Sequence, residues 1–263
     1  MKDKKKTLLW EIRREGAPGP SFLFGTMHVQ DQRAFTFLQQ AYEKIGECGL
    51  MALEFDLGEA PTGMDPAMVR LPEGVSLTQL ISPKKFQKIR KVFRKVAGLD
   101  LNNLQYFSPM VVSNIINERI LSQDMPVSLD EHLWKYARSL GKPVTGIESY
   151  REQLAILQQI PLDYQVEALV EMGQHIRRHR RQLLRMTEVY KEGDIFKLYR
   201  AARRGAAGLR QLLLYRRNRI MADRISELAA EQRVFCAIGA GHLAGGKGVL
   251  RYLKQEGWRV RPG

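Results

Sequence analysis

Short apolar runs lie towards both ends of the chain, and longer helical patterns lie between them. The runs are too short for typical helices, and Gly, Pro or polar residues border most of them, which favours buried strands. A segment rich in Gly and Pro at 16–20 separates the first two runs and predicts a hairpin. The predicted strands are Leu8–Ile12, Phe22–Phe24, Leu50–Phe55, Pro143–Ile147, Val234–Ile238 and Trp258–Val260.

The middle of the chain, about 77–230, has mainly helical spacing of its apolar residues. Ser82-Pro83 predicts a helix start, with serine as the cap and proline in the first turn. Ser128 and Gly141 predict the two ends of another helix. Further helices are predicted at Phe35–Ile45, Pro109–Leu121, Leu129–Leu140 and Gly246–Glu256. The expected fold is mixed α/β: a central mixed sheet contributed by both chain ends, surrounded by helices from the middle of the chain.

Two Gly-x-x-His motifs follow apolar runs near opposite ends of the chain: Gly25-Thr26-Met27-His28 and Gly239-Ala240-Gly241-His242. Each pattern predicts a strand that ends in a glycine turn and presents a histidine at its carboxyl end. Open α/β sheets bind ligands at that edge. The matched contexts favour one shared site, most simply a metal site. Alternatively, each histidine is satisfied by a nearby backbone group.

Two acids, Glu54 and Glu148, also follow predicted strands. If these strands share a sheet, the acids can approach His28 and His242. Imidazoles with carboxylates suit a divalent ion such as zinc, manganese or cobalt. A carboxylate outside the coordination shell could act as general base on a metal-bound water. The alternatives are that Glu54 caps a turn and that Glu148 pairs with the start of the next helix.

Arg217 is the candidate oxyanion stabiliser or substrate clamp, because its guanidinium is always charged and forms a planar fork. It could equally be one surface cation among many. His175 and His179 lie four residues apart on a predicted helix, a spacing that allows both to bind one metal ion. The surrounding arginines disfavour a bound cation. His132, in a predicted first helical turn, is expected at the surface.

Several segments, in order, resemble the TraB/GumN family, which includes the TIKI-type proteases. They are Phe24–His28, Met51–Asp56, Leu71–Leu77, Gly141–Glu148 with Glu152-Gln153-Leu154, Tyr190–Asp194, Arg217-Asn218 and Gly239–Gly245. The resemblance covers about Leu8 to Val260 and implies a single domain over 1–263. Arg216 departs from the pattern, since the family usually has an acid before the Arg-Asn pair.

The resemblance implies activity that depends on both motif histidines, here His28 and His242, on the acid Glu54 and on an arginine, matched here by Arg217. Glu148 matches a recurrent acid without a fixed role. The expected function is a metal-dependent hydrolase that cleaves peptide or protein substrates. Two alternatives stay open: a non-catalytic protein that binds a peptide signal, and a basic protein that binds anions.

The net charge of +14 is unusual for such an enzyme and is concentrated locally. From Gln174 to Arg224 there are fifteen Lys and Arg against four acids. Few aromatic residues interrupt this region, which argues against nucleic acid as a partner and is compatible with an acidic partner. A solvated helix face is expected at Arg177–Arg185. A second basic cluster lies at Lys84–Lys95.

The basic N-terminus is not followed by an apolar segment, and no stretch is long enough to cross a membrane. Cys48 and Cys236 form neither a disulfide framework nor a zinc pattern. These features predict a cytoplasmic protein with both thiols reduced.

Overall fold

A computed structural model describes residues 6–58 and 69–263. The chain forms two compact units. The first, called the sheet unit, comprises Met1–Glu59, Asp124–Tyr150 and Met186–Gly263. The second, called the helical unit, comprises Ala60–Gln123 and Arg151–Arg185. The single-domain organisation implied by the family resemblance stays a prediction.

The sheet unit is built on a mixed sheet of six strands in the order β4-β3-β5-β2-β1-β6. Strands β2, β5, β3 and β4 are parallel neighbours, whereas β1 runs antiparallel to β2 and β6. This arrangement confirms the predicted mixed sheet contributed by both chain ends. The strands are β1 (Leu9–Arg13), β2 (Ser21–Thr26), β3 (Leu50–Leu53), β4 (Val144–Gly146), β5 (Val234–Gly239) and β6 (Arg259–Pro262).

Helices account for most of the remaining described chain. In chain order they are α1 (Leu38–Glu47), α2 (Leu77–Leu80), α3 (Pro83–Ala97), α4 (Pro109–Ile120), α5 (Leu129–Ser139), α6 (Tyr150–Gln158), α7 (Leu162–Gln174), α8 (Ile176–Lys191), α9 (Ile195–Gly205), α10 (Arg216–Glu231), α11 (Ala240–Leu243) and α12 (Val249–Gln255). Short 3-10 helices occur at Gln32–Phe35 and Leu101–Leu104, and a π-helix at Gln211–Tyr215. Within the described residues, none of the helices has the length and apolarity needed to span a membrane.

The core of the sheet unit surrounds the central strands. Every residue of β2 and all of β3 are buried, as are all residues of β5 except Gly239. Because both faces of these strands are covered, they have continuous apolar runs rather than an alternating pattern. The helical unit has its own core, in which Ile89 and Phe93 of α3 pack with Leu169 of α7.

Most helix boundaries follow the local signals, although the helix predicted at Gly246–Glu256 begins only at Val249. The Ser128 hydroxyl accepts a hydrogen bond from the backbone N–H of Glu131 and caps α5, as predicted. Ser82 does precede the Pro83 of α3, but its side chain makes no capping hydrogen bond. The predicted helix at Phe35–Ile45 is divided into a 3-10 helix ending at Phe35 and α1.

Gly25 of the first motif lies inside strand β2 rather than in the predicted turn. It allows α11 to approach, since a Cβ at this position would lie 2.7 Å from Leu243 Cδ1 and 3.1 Å from Ala240 Cα. The carbonyl oxygen of Gly25 accepts a hydrogen bond of 2.7 Å from the hydroxyl of buried Tyr190. The first motif thus provides room for the short helix that contains the histidine of the second.

Gly25→Ala is expected to lower the free energy of unfolding by about 1–3 kcal/mol, because the added methyl group forces α11 away from β2. Urea denaturation measures the change. Gly46→Ala in α1 is the matched control, because a Cβ there meets no atom within 4 Å. That control should be neutral or stabilising by up to about 1 kcal/mol. Equal effects in the two variants would contradict the close-approach explanation.

Candidate active site

The acids Glu54 and Glu148 lie side by side just beyond the carboxyl ends of two parallel strands. Strands β3 and β4 pair in register as far as Leu53 and Gly146. Backbone pairing continues past them, since the N–H of Glu148 donates to the carbonyl of Glu54 over 2.8 Å. The sheet register therefore places both carboxylates at the predicted edge.

Arg217, near the start of α10, joins the two carboxylates. Its Nε donates to the two carboxylate oxygens of Glu148 over 3.0 and 3.1 Å. Its Nη2 donates to both Glu148 and Glu54. All three side chains are largely buried, with exposed fractions of 13% for Arg217, 11% for Glu54 and 2% for Glu148. The surface alternative for Arg217 is therefore wrong.

Glu54 remains ionised despite its burial. Burial alone raises the pKa of this carboxyl, but the charges of Arg217, His242 and His28 and a hydrogen bond from the Gly239 N–H lower it to about 2. The Gly239 N–H donates to Oε2 over 3.0 Å, so the second motif contacts Glu54 through its backbone. Burial lowers the pKa of Arg217, yet the two glutamates outweigh this effect and raise it.

His242, in α11, is buried and its tautomer is defined by its neighbour. Its Nδ1 lies 2.6 Å from Oδ1 of Asn218, while Nδ2 of Asn218 donates to the carbonyl of Lys247. Since Oδ1 can only accept, the hydrogen bond requires a proton on Nδ1 and a lone pair on Nε2. Burial is the main cause that lowers the pKa of His242 to about 4, so the ring is neutral near pH 7.

His28 has the carboxylate of Asp130 beside its Nδ1, just as His242 has the amide of Asn218 beside its own Nδ1. Its Nδ1 lies 3.0 Å from Oδ2 of Asp130, at an ion-pair distance without the alignment of a good hydrogen bond. Thr26 donates to the other oxygen of Asp130 over 2.6 Å. Burial raises the pKa of Asp130, against the lowering effect of His28 and Thr26. Half of the His28 side chain is exposed, so it is the more accessible of the two histidines.

The donor chemistry of these side chains fits a divalent cation. His242 offers a lone pair on Nε2, and an oxygen acceptor beside the other ring nitrogen, as Asn218 and Asp130 provide here, is typical of metal-binding histidines. His28 is near enough to influence the pKa values of Glu54 and His242. Nevertheless, in residues 6–58 and 69–263, no three His, Cys, Asp or Glu side chains form a group that could hold a metal ion. The ligand set His28, His242 and Glu54 therefore stays a prediction.

Asp130 was missed as a site residue by sequence reasoning, and Asn218 was noted without a role. The sequence signal for Asp130 is weak, since it occupies the first turn of α5, where acids are common. Neighbouring His132 was expected at the surface, which is wrong. It is half-buried, its Nε2 lies 2.5 Å from the Tyr42 hydroxyl, and its ring meets that of Phe35 edge-on.

The basic region at Gln174–Arg224 does not form one uniform surface. Arg177, Arg178, Arg180 and Arg181 are exposed on α8, as predicted. Further along, Arg219 pairs with Asp223 and Glu256, and Lys197 pairs with Glu192 and Asp194. Arg217 belongs to the buried site. The high local charge therefore combines exposed, paired and buried cations.

The lowered pKa of His242 predicts a pH dependence of folding stability in metal-free protein. The unfolded ring binds a proton below its ordinary pKa of 6.5, whereas the folded ring binds one only below about 4. Stability should therefore rise with pH across this window and reach its full value above pH 6.5, with a contribution on the order of 3 kcal/mol.

Urea denaturation with a chelator at several pH values measures this effect. In His242→Asn, the amide can still donate to Asn218, but the titrating group is absent. The rise in stability between about pH 4 and about pH 6.5 should shrink in this variant. An unchanged rise would show that His242 is not the group responsible.

Comparison with known proteins relates the chain to one family. The model of the TraB/PrgY/gumN family matches residues 8–262. The chain is 24% identical to metalloprotease TIKI2 of Danio rerio, over 97% of the chain and 60% of that protein. It is 23% identical to metalloprotease TIKI1 of Homo sapiens, over 97% of the chain and 61% of that protein.

The chain spans about three fifths of the length of these curated relatives. No solved structure matches it significantly. The family model covers nearly the whole chain, including both Gly-x-x-His motifs, Glu54, Glu148 and Arg217. The chain therefore belongs to the TraB/PrgY/gumN family.

Proposed function

We propose that this protein is a metal-dependent hydrolase that cleaves peptide bonds. The observation that carries the proposal is the juxtaposition of an ionised acid, Glu54, with a neutral imidazole, His242, and a guanidinium, Arg217, at the carboxyl edge of parallel strands. Such an edge is where α/β proteins bind ligands. The metalloprotease names of the relatives support the same reaction class.

His28 and His242 would hold the metal through imidazole nitrogens, with Glu54 as a carboxylate ligand or as general base. A bound zinc, manganese or cobalt ion would supply Lewis acidity and lower the pKa of a water molecule. The hydrogen bond to Asn218 keeps the His242 proton on Nδ1. Nε2 therefore carries the lone pair with which His242 would bind the metal. Two carboxylates balanced by a single guanidinium also favour an additional positive charge in the site.

Arg217 would stabilise the oxyanion that develops on a scissile carbonyl. Among the described residues, its Nε donates to Glu148 and its Nη2 donates to both Glu148 and Glu54, so the guanidinium is held in a fixed orientation. Glu148 would act by orienting this guanidinium rather than by contacting the substrate. Preorganised donors of this kind lower the barrier because they need no reorientation during the reaction.

A non-catalytic binder of peptide signals is the second candidate. It is favoured by the engagement of both Glu54 oxygens, one with Arg217 and the other with the Gly239 N–H. A carboxylate held in this way is a poorer metal ligand or base than a solvated one. Turnover of a peptide library distinguishes the two candidates, since the binder would bind peptides without cleaving them.

One divalent ion per chain is expected in protein purified without chelators and without a histidine tag. Elemental analysis by mass spectrometry measures the ion. Replacement of His28 and His242 together by alanine should abolish it, because both proposed imidazole ligands are lost. His175→Ala is the control, since His175 is exposed in the helical unit. Stoichiometric metal in the double variant would refute this ligand assignment.

Glu54→Gln should remain folded, because its volume is nearly unchanged and Arg217 retains Glu148 as a partner. We expect turnover of a peptide library to fall by about 10²–10⁴-fold if Glu54 is the general base. Retained metal would then support the base role, whereas loss of metal would identify a ligand. Wild-type turnover in the folded variant would show that this carboxylate is structural.

A further inference from the structure

Helix α3 of the helical unit exposes a continuous face of positive charge. Its fifteen residues contain no acid, and its basic side chains are numerous. Among the described residues, its one recorded ion pair joins Arg90 to Asp100. The six exposed cations are Lys84, Lys85, Lys88, Lys91, Arg94 and Lys95.

The positions of these cations define a single stripe. Lys84, Lys88, Lys91 and Lys95 recur at helical spacing, so they line one side of α3 over about 16 Å. The opposite side is buried: Ile89 and Phe93 pack against Gly173 of α7, where a Cβ would lie only 2.6 Å from Ile89. The helix therefore presents lysines outward and cannot expose its apolar side without unfolding this core.

Folding stability does not explain this arrangement. Like charges three and four residues apart destabilise a helix. Lys84 and Lys85 also occupy the first turn, where the helix dipole favours acids. The repulsion among these lysines and the unfavourable charges of the first turn are better explained by an external anionic partner than by the fold.

We propose that this lysine face binds the surface of an anionic lipid bilayer. A row of exposed ammonium groups along one side of a helix can contact a flat layer of headgroups simultaneously, and clusters of four to eight Lys or Arg are typical of such contacts. Five of the six cations are lysines, which act as point charges rather than as forks for individual phosphates. The face contains no aromatic residue for base stacking, which disfavours single-stranded nucleic acid.

The triple variant Lys84→Glu, Lys85→Glu, Lys88→Glu separates binding from folding. Glutamate in the first turn complements the helix dipole, and Glu at position 85 can form a capping box with Ser82. The variant should therefore have an unchanged or higher Tm. Its binding to vesicles of phosphatidylglycerol and phosphatidylcholine should fall by about a hundredfold or more.

The matched control is Lys191→Glu, Arg251→Glu, Lys254→Glu, which reverses three exposed cations of the sheet unit and gives the same net charge. It should retain most of the wild-type binding in vesicle sedimentation at about 0.1 M salt. Peptide turnover and metal content in solution are measured in parallel. Because the lysine face lies in the helical unit, its proposal can fail without affecting the proposed hydrolase activity.

Three results would overturn the proposal. The first is wild-type protein that sediments no more with anionic vesicles than with pure phosphatidylcholine vesicles. The second is a control variant that loses as much binding as the α3 variant, which would indicate that net charge rather than this face determines binding. The third is displacement of the wild-type protein from vesicles by duplex DNA at equal phosphate concentration, together with weaker displacement of the α3 variant, which would identify nucleic acid as the partner.

Discussion

The buried ion pairs between Arg217 and the carboxylates of Glu54 and Glu148 are the interaction on which the candidate site depends. Two carboxylates this close, at the covered edge of a sheet, would repel each other and would lose hydration without compensation. The guanidinium offsets both costs through hydrogen bonds to each acid. Removing it would leave buried unpaired charge, which typically destabilises a protein by about 3–5 kcal/mol. The same interaction links α10 to the ends of β3 and β4.

Close backbone approach is the second constraint. Gly25 in β2 gives α11 room to pack against the strand, and Gly239 places an amide on Glu54 before α11 begins. At Gly241, a Cβ would lie 2.8 Å from the Cβ of Ala202. The glycines of the two motifs thus serve packing rather than chain reversal, and none of these three has a positive φ. This packing carries His242 to the same sheet edge as Glu54.

The two histidines differ in ways that bear on their proposed roles. His242 is buried, neutral and held by Asn218, whereas His28 is half-exposed beside Asp130. A preorganised imidazole combined with a more accessible one suits a site that must admit a substrate. Because Glu54 already forms an ion pair with Arg217, the charged side chains of the site bind one another. Metal binding would have to compete with part of this network or extend it.

Local sequence signals were sufficient to predict most strands and helices, because buried parallel strands require continuous apolar runs and helix ends require particular residues. Ser128 and the run at Val234–Ile238 are examples. The strand-end positions of Glu54 and Glu148, and the matched histidine motifs, also followed from these patterns. The sequence could not predict that Gly25 lies within a strand, because its purpose is contact with a helix more than two hundred residues away.

Only the tertiary structure decided which partners these residues have. Asn218 meets His242 and Asp130 meets His28 because separate helices, α10 and α5, pack against the same sheet. Arg217 is buried between two acids, although its sequence neighbours suggest one more surface cation. The helical pattern of α3 determined its stripe of lysines by itself, since spacing along one helix is a local property. Pairing of charges across elements depends on strand order and packing, which no local pattern encodes.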